Sequence, residues 1–346
     1  MKSRIGEGSL FWSWGAFVFL SVNFLTGVLI SNNATLLEGT IAIFIGFIIL
    51  SLATFPVVVI SVVNKLNYSG AIKSYVNNNL SKNALIILVP LINIGWYSIQ
   101  VAVVVSILCD TFPIFGNSSL ILSIIVSFIF STGSFLFGYD WLRHFGAVAV
   151  AVLIITFSYS ILQYQWHISA INMDVDISNI FNATVLVVGS WIFSSVTCLM
   201  DITNYVKNYR KAFIYVISAL FLADITLIFI GFITSKIHNI DSMDVFLSIG
   251  STPIMVVGMI ISIWSTNDSN FFSTMRALEA YSIKKWKIYI CISFLSGAIA
   301  SIGQNKLFEF IGDWLILMGW IGIPIAIFWY IIYFREKKKS INKYAL

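Results

Sequence analysis

The chain has 346 residues, of which 59% are hydrophobic and only 10% charged. Soluble domains carry about a quarter charged residues, so this composition excludes a soluble globular protein and points to a polytopic helical membrane protein. The formal net charge of +5 reports orientation and contact with anionic lipid, and gives no support for nucleic-acid binding.

Apolar stretches of roughly 20 residues predict ten spans, at about 10–31, 38–63, 84–109, 118–138, 144–163, 183–205, 212–234, 251–275, 286–304 and 311–334. Of the 20 lysines and arginines, all but Lys236 and Lys306 fall on one side of a ten-span chain. By the positive-inside rule both termini, including the basic tail 335–346, are expected in the cytoplasm of a multi-pass plasma-membrane protein. No linker or soluble domain interrupts the spans, and nothing reads as a cleavable signal, so 1–346 is expected to be a single membrane domain. Cys109, Cys198 and Cys291 show no paired spacing and His144, His167 and His238 no ligand spacing, which argues against a disulfide framework or a zinc site. Ten spans divide as five plus five, with repeat one at about 10–163 and repeat two at about 183–334. Transporters built from such inverted repeats break the first helix of each repeat at mid-membrane and bind ions or substrate there.

Span one carries Asn23-Phe24-Leu25-Thr26-Gly27, and span six carries Gly189-Ser190-Trp191-Ile192-Phe193-Ser194-Ser195. Glycine lowers the cost of leaving helical geometry and hydroxyls can satisfy freed backbone groups, so both stretches are candidate breaks. Ordinary small-residue packing between membrane helices gives the same pattern, and both readings stay open. In span three Trp96 and Gln100 lie four apart on one helix face. A flat ring beside an amide suits a planar ligand with a hydrogen-bonding edge; interhelical packing is the alternative. Asp224 lies in the middle of span seven. A carboxylate at that depth is stable when protonated or paired, which makes it a candidate proton site.

Span eight contains Ile263-Trp264-Ser265-Thr266-Asn267-Asp268-Ser269-Asn270. Six consecutive polar side chains at membrane depth are costly unless they bind something, so this run is the principal candidate site, with Asp268 a second candidate proton acceptor. Ser265 and Thr266 are adjacent hydroxyls, and Ser262 lies one turn earlier with a carbonyl that can point toward them. Together with carbonyls from a first helix broken around Phe24 to Gly27, they could ligate sodium; the alternative is that the hydroxyls bond back to carbonyls four residues earlier.

Taken together, these stretches resemble the nucleobase:cation symporter-1 family, and above all its cytosine permease branch. Ile263-Trp264-Ser265-Thr266-Asn267-Asp268 is similar to that branch's Asn/Ile-Trp-Thr-Thr-Asn-Asp in the eighth helix. Val188-Gly189-Ser190-Trp191-Ile192 resembles the sixth-helix Val-Gly-Ser-Phe-Ile, followed by Asp201-Ile202-Thr203-Asn204-Tyr205, which resembles the family's Asp-Phe-Ser/Thr-Arg-Tyr/Phe. Gly95-Trp96-Tyr97 resembles Gly-Trp-Phe in the third helix. The resemblance implies an all-α, five-plus-five inverted repeat like that of neurotransmitter:sodium symporters, with substrate held between helices one, three, six and eight. It further implies that Trp96 stacks on a base, that Trp191 beside Ser190 covers the other face, and that Asn267 bonds the polar edge. Sodium would lie among Phe24, Gly27, Ser262, Ser265 and Thr266.

Gln100 matches the hydantoin-type branch, where the cytosine branch has Gly. Phe193 replaces a small hydroxyl residue, Asn204 replaces an Arg, and Asp224 stands where a neutral amide is expected. The family has twelve helices, and the ten-span reading has no counterpart of the last two. The implied function is a symporter importing a nucleobase-like small molecule with Na+ or H+ as coupling ion and no cofactor. The alternative is a receptor on the same scaffold that binds without turnover. No paired Ser/His or His-Glu-x-x-His arrangement suggests an enzyme, and oligomeric state is not legible.

Overall fold

Helix packing in the computed structural model follows an exchange rule. The residues described are 6–18, 21–112, 114, 119–163, 175–238, 253–303 and 307–344. Span one is two helices, α1 (Gly8–Val18) and α2 (Ser21–Ser31), bent by 57° at the break. Span two is α3 (Leu36–Asn64); a short α4 (Tyr68–Tyr75) leads to span three, α5 (Asn79–Thr111). Spans four and five are α6 (Ser119–Phe137) and α7 (Tyr139–Gln163). Span six is again broken, into α8 (Ile177–Val196) and α9 (Cys198–Thr203). Span seven is α10 (Tyr209–Ala219), a π-helical turn (Leu220–Ile225) and α11 (Thr226–His238). Spans eight to ten are α12 (Pro253–Leu278), α13 (Lys285–Gly303) and α14 (Leu307–Tyr344).

Span one packs on span seven and span six on span two; span three packs on nine and span eight on four; spans three and eight pack on each other. Exchanging one with six, two with seven, three with eight and four with nine maps this set onto itself. That is the contact pattern of two repeats of five, and it confirms the expected all-α inverted repeat.

By length and apolarity eight of the described helices can cross a bilayer, or nine if α1 and α2 count as one span. The helix that fails is α12, although its 26 residues suffice in length. Its polar run faces protein and not lipid: Ser265 to Asn270 are all at most 3% exposed.

Local sequence sets the ends. Thr35 and Glu38 form a reciprocal capping box at the start of α3, with Glu38 Oε2 accepting from Thr35 N at 2.6 Å. Glu38 Oε1 also accepts from Asp176 N at 2.5 Å, which ties the N-terminus of α3 to the approach of α8. Such caps satisfy N–H groups that the first helical turn leaves unpaired. Lys65 ends α3 in the left-handed region (φ 57°), its N–H still bonded to Ser61 O.

Both breaks lie away from the expected positions. In span one the helix stops at Val18, whereas Thr26 donates to Val22 O within α2 at 3.1 Å. Gly27 stays helical and lets α2 touch α11: a Cβ there would lie 2.0 Å from Ile228 O. In span six the helix runs through Gly189–Ser195 and breaks at Thr197 (φ −126°, ψ −74°). Gly189 is a packing residue too, since its Cβ would lie 1.9 Å from Leu315 O on α14. Where the chain breaks, side chains take up the released carbonyls. Asn23 Nδ2 donates to Val18 O at 2.5 Å, and Trp329 Nε1 donates to Val196 O at 2.8 Å. Each satisfies a helix-end carbonyl that would otherwise be buried without a donor.

Candidate functional site

Two helix faces with the same spacing meet at the centre of the molecule. On α5, Asn93, Trp96 and Gln100 stand at i, i+3 and i+7; on α12, Asn267, Asn270 and Thr274 do the same, so each set occupies one face. Asn93 fixes the register, its Nδ2 donating to Asn270 O and to Thr274 Oγ1, both at 3.2 Å. Spans three and eight run in opposite directions because one is odd and the other even. Moving from Asn93 toward Gln100 therefore follows α12 from Thr274 toward Asn267, and Asn267 comes level with the turn between Trp96 and Gln100.

That turn is polar, buried and unsatisfied. Asn267 is 0% exposed, and neither Oδ1 nor Nδ2 has a hydrogen-bond partner. Gln100 Oε1 and Asn270 Nδ2 also lack one. A buried amide group left unpaired costs ~1–3 kcal/mol, so several together are the signature of a site that expects an occupant. Asn267 presents a donor beside an acceptor and Gln100 a further acceptor.

The two candidate ring residues have separate partners. Trp96 is buried and meets Trp314 of α14 edge-on at 6.3 Å. Gly95 makes room for that ring, since a Cβ there would lie 2.2 Å from it. Trp191 meets Phe17 at 5.3 Å and Trp14 at 6.4 Å, and its Nε1 donates to Asn23 Oδ1 at 3.0 Å. Among the described residues no ring contact joins Trp96 to Trp191. Ser190 turns inward on its own helix, donating to Val187 O at 2.6 Å. Phe193 is fully buried, and Asn204 is buried with both side-chain polar atoms unpartnered.

The expected cation ligands separate into two groups. Thr266 Oγ1 lies 3.1 Å from Phe17 O, 3.3 Å from Ser262 O and 3.5 Å from Ala16 O. One hydroxyl proton cannot serve three carbonyls, so lone pairs remain directed into this oxygen cluster at the C-terminal, electronegative end of α1. Ser265 is buried beside it and its carbonyl accepts from Ser269 Oγ at 3.2 Å. Phe24 and Gly27 stand elsewhere, in α2 against α11: Phe24 O faces Gly231 and Gly27 faces Ile228 O. The first-span carbonyls at Thr266 are thus Ala16 and Phe17, because the break lies before α2 and not inside it.

The two candidate acids also differ in surroundings. Asp268 braces three helices: Ser134 N donates to Oδ1 at 2.9 Å, Ser134 Oγ donates to its backbone carbonyl at 2.9 Å, and the Trp141 indole donates to Oδ2. Gly133 makes space for that indole, since a Cβ there would lie 2.1 Å from its nitrogen. Asp224 lies in the π-helical turn, 0% exposed, with neither oxygen partnered.

Sequence reasoning placed Asn23 in a candidate break but missed its role as a cap, and it missed Trp314, Trp329 and the Ala16 and Phe17 carbonyls. Asn23 was discoverable as a lone amide in an apolar run; backbone carbonyls leave no signal in residue type.

No protein-family model matches the sequence, and no curated protein matches it. Solved structures do match. Mhp1, a nucleobase-cation-symport-1 family transporter in a closed conformation with bromovinylhydantoin bound, aligns with TM-score 0.63 and 17% identity over 90% of this chain and 75% of its own. A Na+-coupled sialic acid symporter, substrate-bound and outward-open, aligns with TM-score 0.60 and 12% identity over 93% and 78%. The Eremococcus coleocola manganese transporter aligns with TM-score 0.63 and 12% identity over 93% and 78%. Three transporters for unlike substrates share this architecture, and the chain has their fold.

Proposed function

We propose that the chain is a secondary transporter that takes up a neutral, planar, nucleobase-like heterocycle together with sodium by alternating access. The observation that carries this reading is Asn267, fully buried with both amide atoms unpartnered on the face opposite Trp96 and Gln100. An amide so placed suits a ring edge that offers an N–H beside a carbonyl or ring nitrogen, and Gln100 Oε1 suits a second N–H. Trp96 supplies a stacking surface, and Trp191 stands at the break of span one where it can close over a ligand. The site faces of α5 and α12 carry no charged side chain near Asn267, in keeping with a neutral ligand.

Coupling falls to Thr266. Its hydroxyl and the carbonyls of Ala16, Phe17 and Ser262 provide four oxygens, the ligand type that sodium prefers where a membrane helix is interrupted. A cation there bridges span eight to the broken span one, so its occupancy favours one arrangement of the two. Ligand and ion then select the same state and each tightens the other. The shared fold with cation-coupled symporters supports this reading, while the substrate assignment rests on the side chains of this chain.

Counterflow tests it. Proteoliposomes holding the full chain are preloaded with unlabelled cytosine, uracil, hypoxanthine or hydantoin, and labelled compound is supplied outside. Accumulation of label with at least one of them is expected. Saturable binding without exchange would make the chain a receptor on a transporter scaffold.

A further inference from the structure

Among the described residues four carboxylates are buried: Glu38, Asp201, Asp224 and Asp268. Three accept backbone or indole N–H bonds: Glu38 from Thr35 and Asp176, Asp201 from Tyr68 at 3.3 Å, and Asp268 from Ser134 and Trp141. Asp224 accepts none on either oxygen. It sits in a six-residue π-helical turn, a feature that frequently marks functional positions in helices. Along the helix it lies roughly 21 Å from Arg210 and roughly 18 Å from Lys236 at 1.5 Å per residue, which is the middle of the bilayer.

The elements packed on this turn are α1, α3, α10 and α11. Their titratable groups are Glu38 on α3, Tyr209, Arg210, Lys211 and Tyr215 on α10, and Lys236 and His238 on α11. The polar group that acts on Asp224 is the indole N–H of Trp191, which in this structure is directed to Asn23 Oδ1 at 3.0 Å. Asn23 in turn holds the Val18 carbonyl at the break. Asp224 thus competes with Asn23 for one donor, and the acceptor in use is tied to the interruption of span one.

We propose that Asp224 is a proton-binding site and that Trp191 relays its charge state to the break. Binding transfers one proton from water to a carboxylate oxygen, giving the neutral acid. With the acid neutral, the indole stays on Asn23 and the Val18 carbonyl stays capped, as observed. When the acid ionises, its charged oxygen is the stronger acceptor and cannot remain unpartnered in hydrocarbon. The indole then turns to Asp224, Asn23 loses the donor that orients it, and the Val18 carbonyl is released. In the transport reading Trp191 also closes over the ligand, so proton and ligand occupancy meet in one side chain; that coupling rests on the transport reading, whereas proton binding does not.

The test uses the purified full chain in sodium-free liposomes. Infrared difference spectra between acid and alkaline media are expected to show a protonated-carboxyl band that is absent in Asp224→Asn and kept in Trp191→Phe. A tryptophan fluorescence change at the same pH is expected in the wild type and absent in both variants. Two results would each overturn the proposal: a carboxyl band that does not titrate, or a fluorescence change that survives Asp224→Asn. Should Asp224→Asn fail to fold, the wild type and Trp191→Phe decide, because the proposal requires a titrating band whose midpoint differs between them. Failure of counterflow with the titrating band intact would sink the transport reading alone; counterflow without the band would sink this one alone.

Discussion

Gly27 and Gly231 face each other across the contact of α2 with α11, each against the backbone carbonyl of the other helix. A Cβ on Gly27 would lie 2.0 Å from Ile228 O, and one on Gly231 would lie 2.1 Å from Phe24 O. Membrane helices approach this closely only through small residues, since lipid offers no hydrophobic drive to hold them. The pair therefore fixes the distance between the second half of span one and span seven, which carries Asp224.

A methyl group on either residue must push the helices apart. Gly27→Ala and Gly231→Ala should each lower stability by ~1–3 kcal/mol, the usual cost of overpacking. The double variant should cost less than the sum, because the first separation makes room for the second methyl. Thermal unfolding of the four proteins in detergent measures this; strict additivity would show that the two glycines do not share one contact.

Trp96→Ala and Asn267→Ala should each weaken binding of whichever heterocycle shows counterflow by ~1–3 kcal/mol, the range for lost stacking or a lost buried hydrogen bond. Both variants should fold, since neither side chain is in a hydrogen bond that spans helices. Equilibrium binding by scintillation proximity reads the effect. Wild-type affinity in both would return these residues to interhelical packing.

Thr266→Val keeps the shape of the side chain and removes the oxygen at the centre of the carbonyl cluster. Ligand affinity in the wild type should rise with sodium, and this variant should abolish the rise while leaving sodium-free affinity close to wild type. A sodium response equal to that of the wild type would remove Thr266 from the ion site.

Orientation follows from charge. Single cysteines at Lys236 and Lys287 in a background without the native cysteines should label differently in intact cells, Lys236→Cys from outside and Lys287→Cys only after permeabilisation. The reverse pattern would invert the chain in the membrane.

The number and order of spans were legible because a bilayer imposes length and apolarity on each helix directly. The polar run of span eight was legible for the same reason, as six polar residues stand out where lipid would otherwise be. The breaks were misplaced on physical grounds. Gly27 and Gly189 look like weak points, yet both are used for close approach to a neighbouring backbone. The chain actually breaks next to Val18 and at Thr197, in stretches with no glycine or proline. What makes these breaks tolerable is a side-chain donor, Asn23 five residues on for the Val18 carbonyl and Trp329, 133 residues from its acceptor, for Val196. The Trp329 partnership is tertiary and leaves no local pattern. The cation ligands illustrate the same limit: Thr266 could be named from its hydroxyl, but its carbonyl partners depended on where span one breaks.

The fully buried thiol of Cys198 stands at the first position of α9, directly after the second break, bonded to Asn93 at 3.8 Å and to Thr197 Oγ1 at 3.5 Å. A water-soluble maleimide can reach it only in the moments when the helices packed around α9 part. With Cys109 and Cys291 replaced by serine, the rate at which Cys198 is alkylated becomes a clock for that parting. Each added ligand or ion then reveals whether it stops the clock or runs it faster, without any transport being measured.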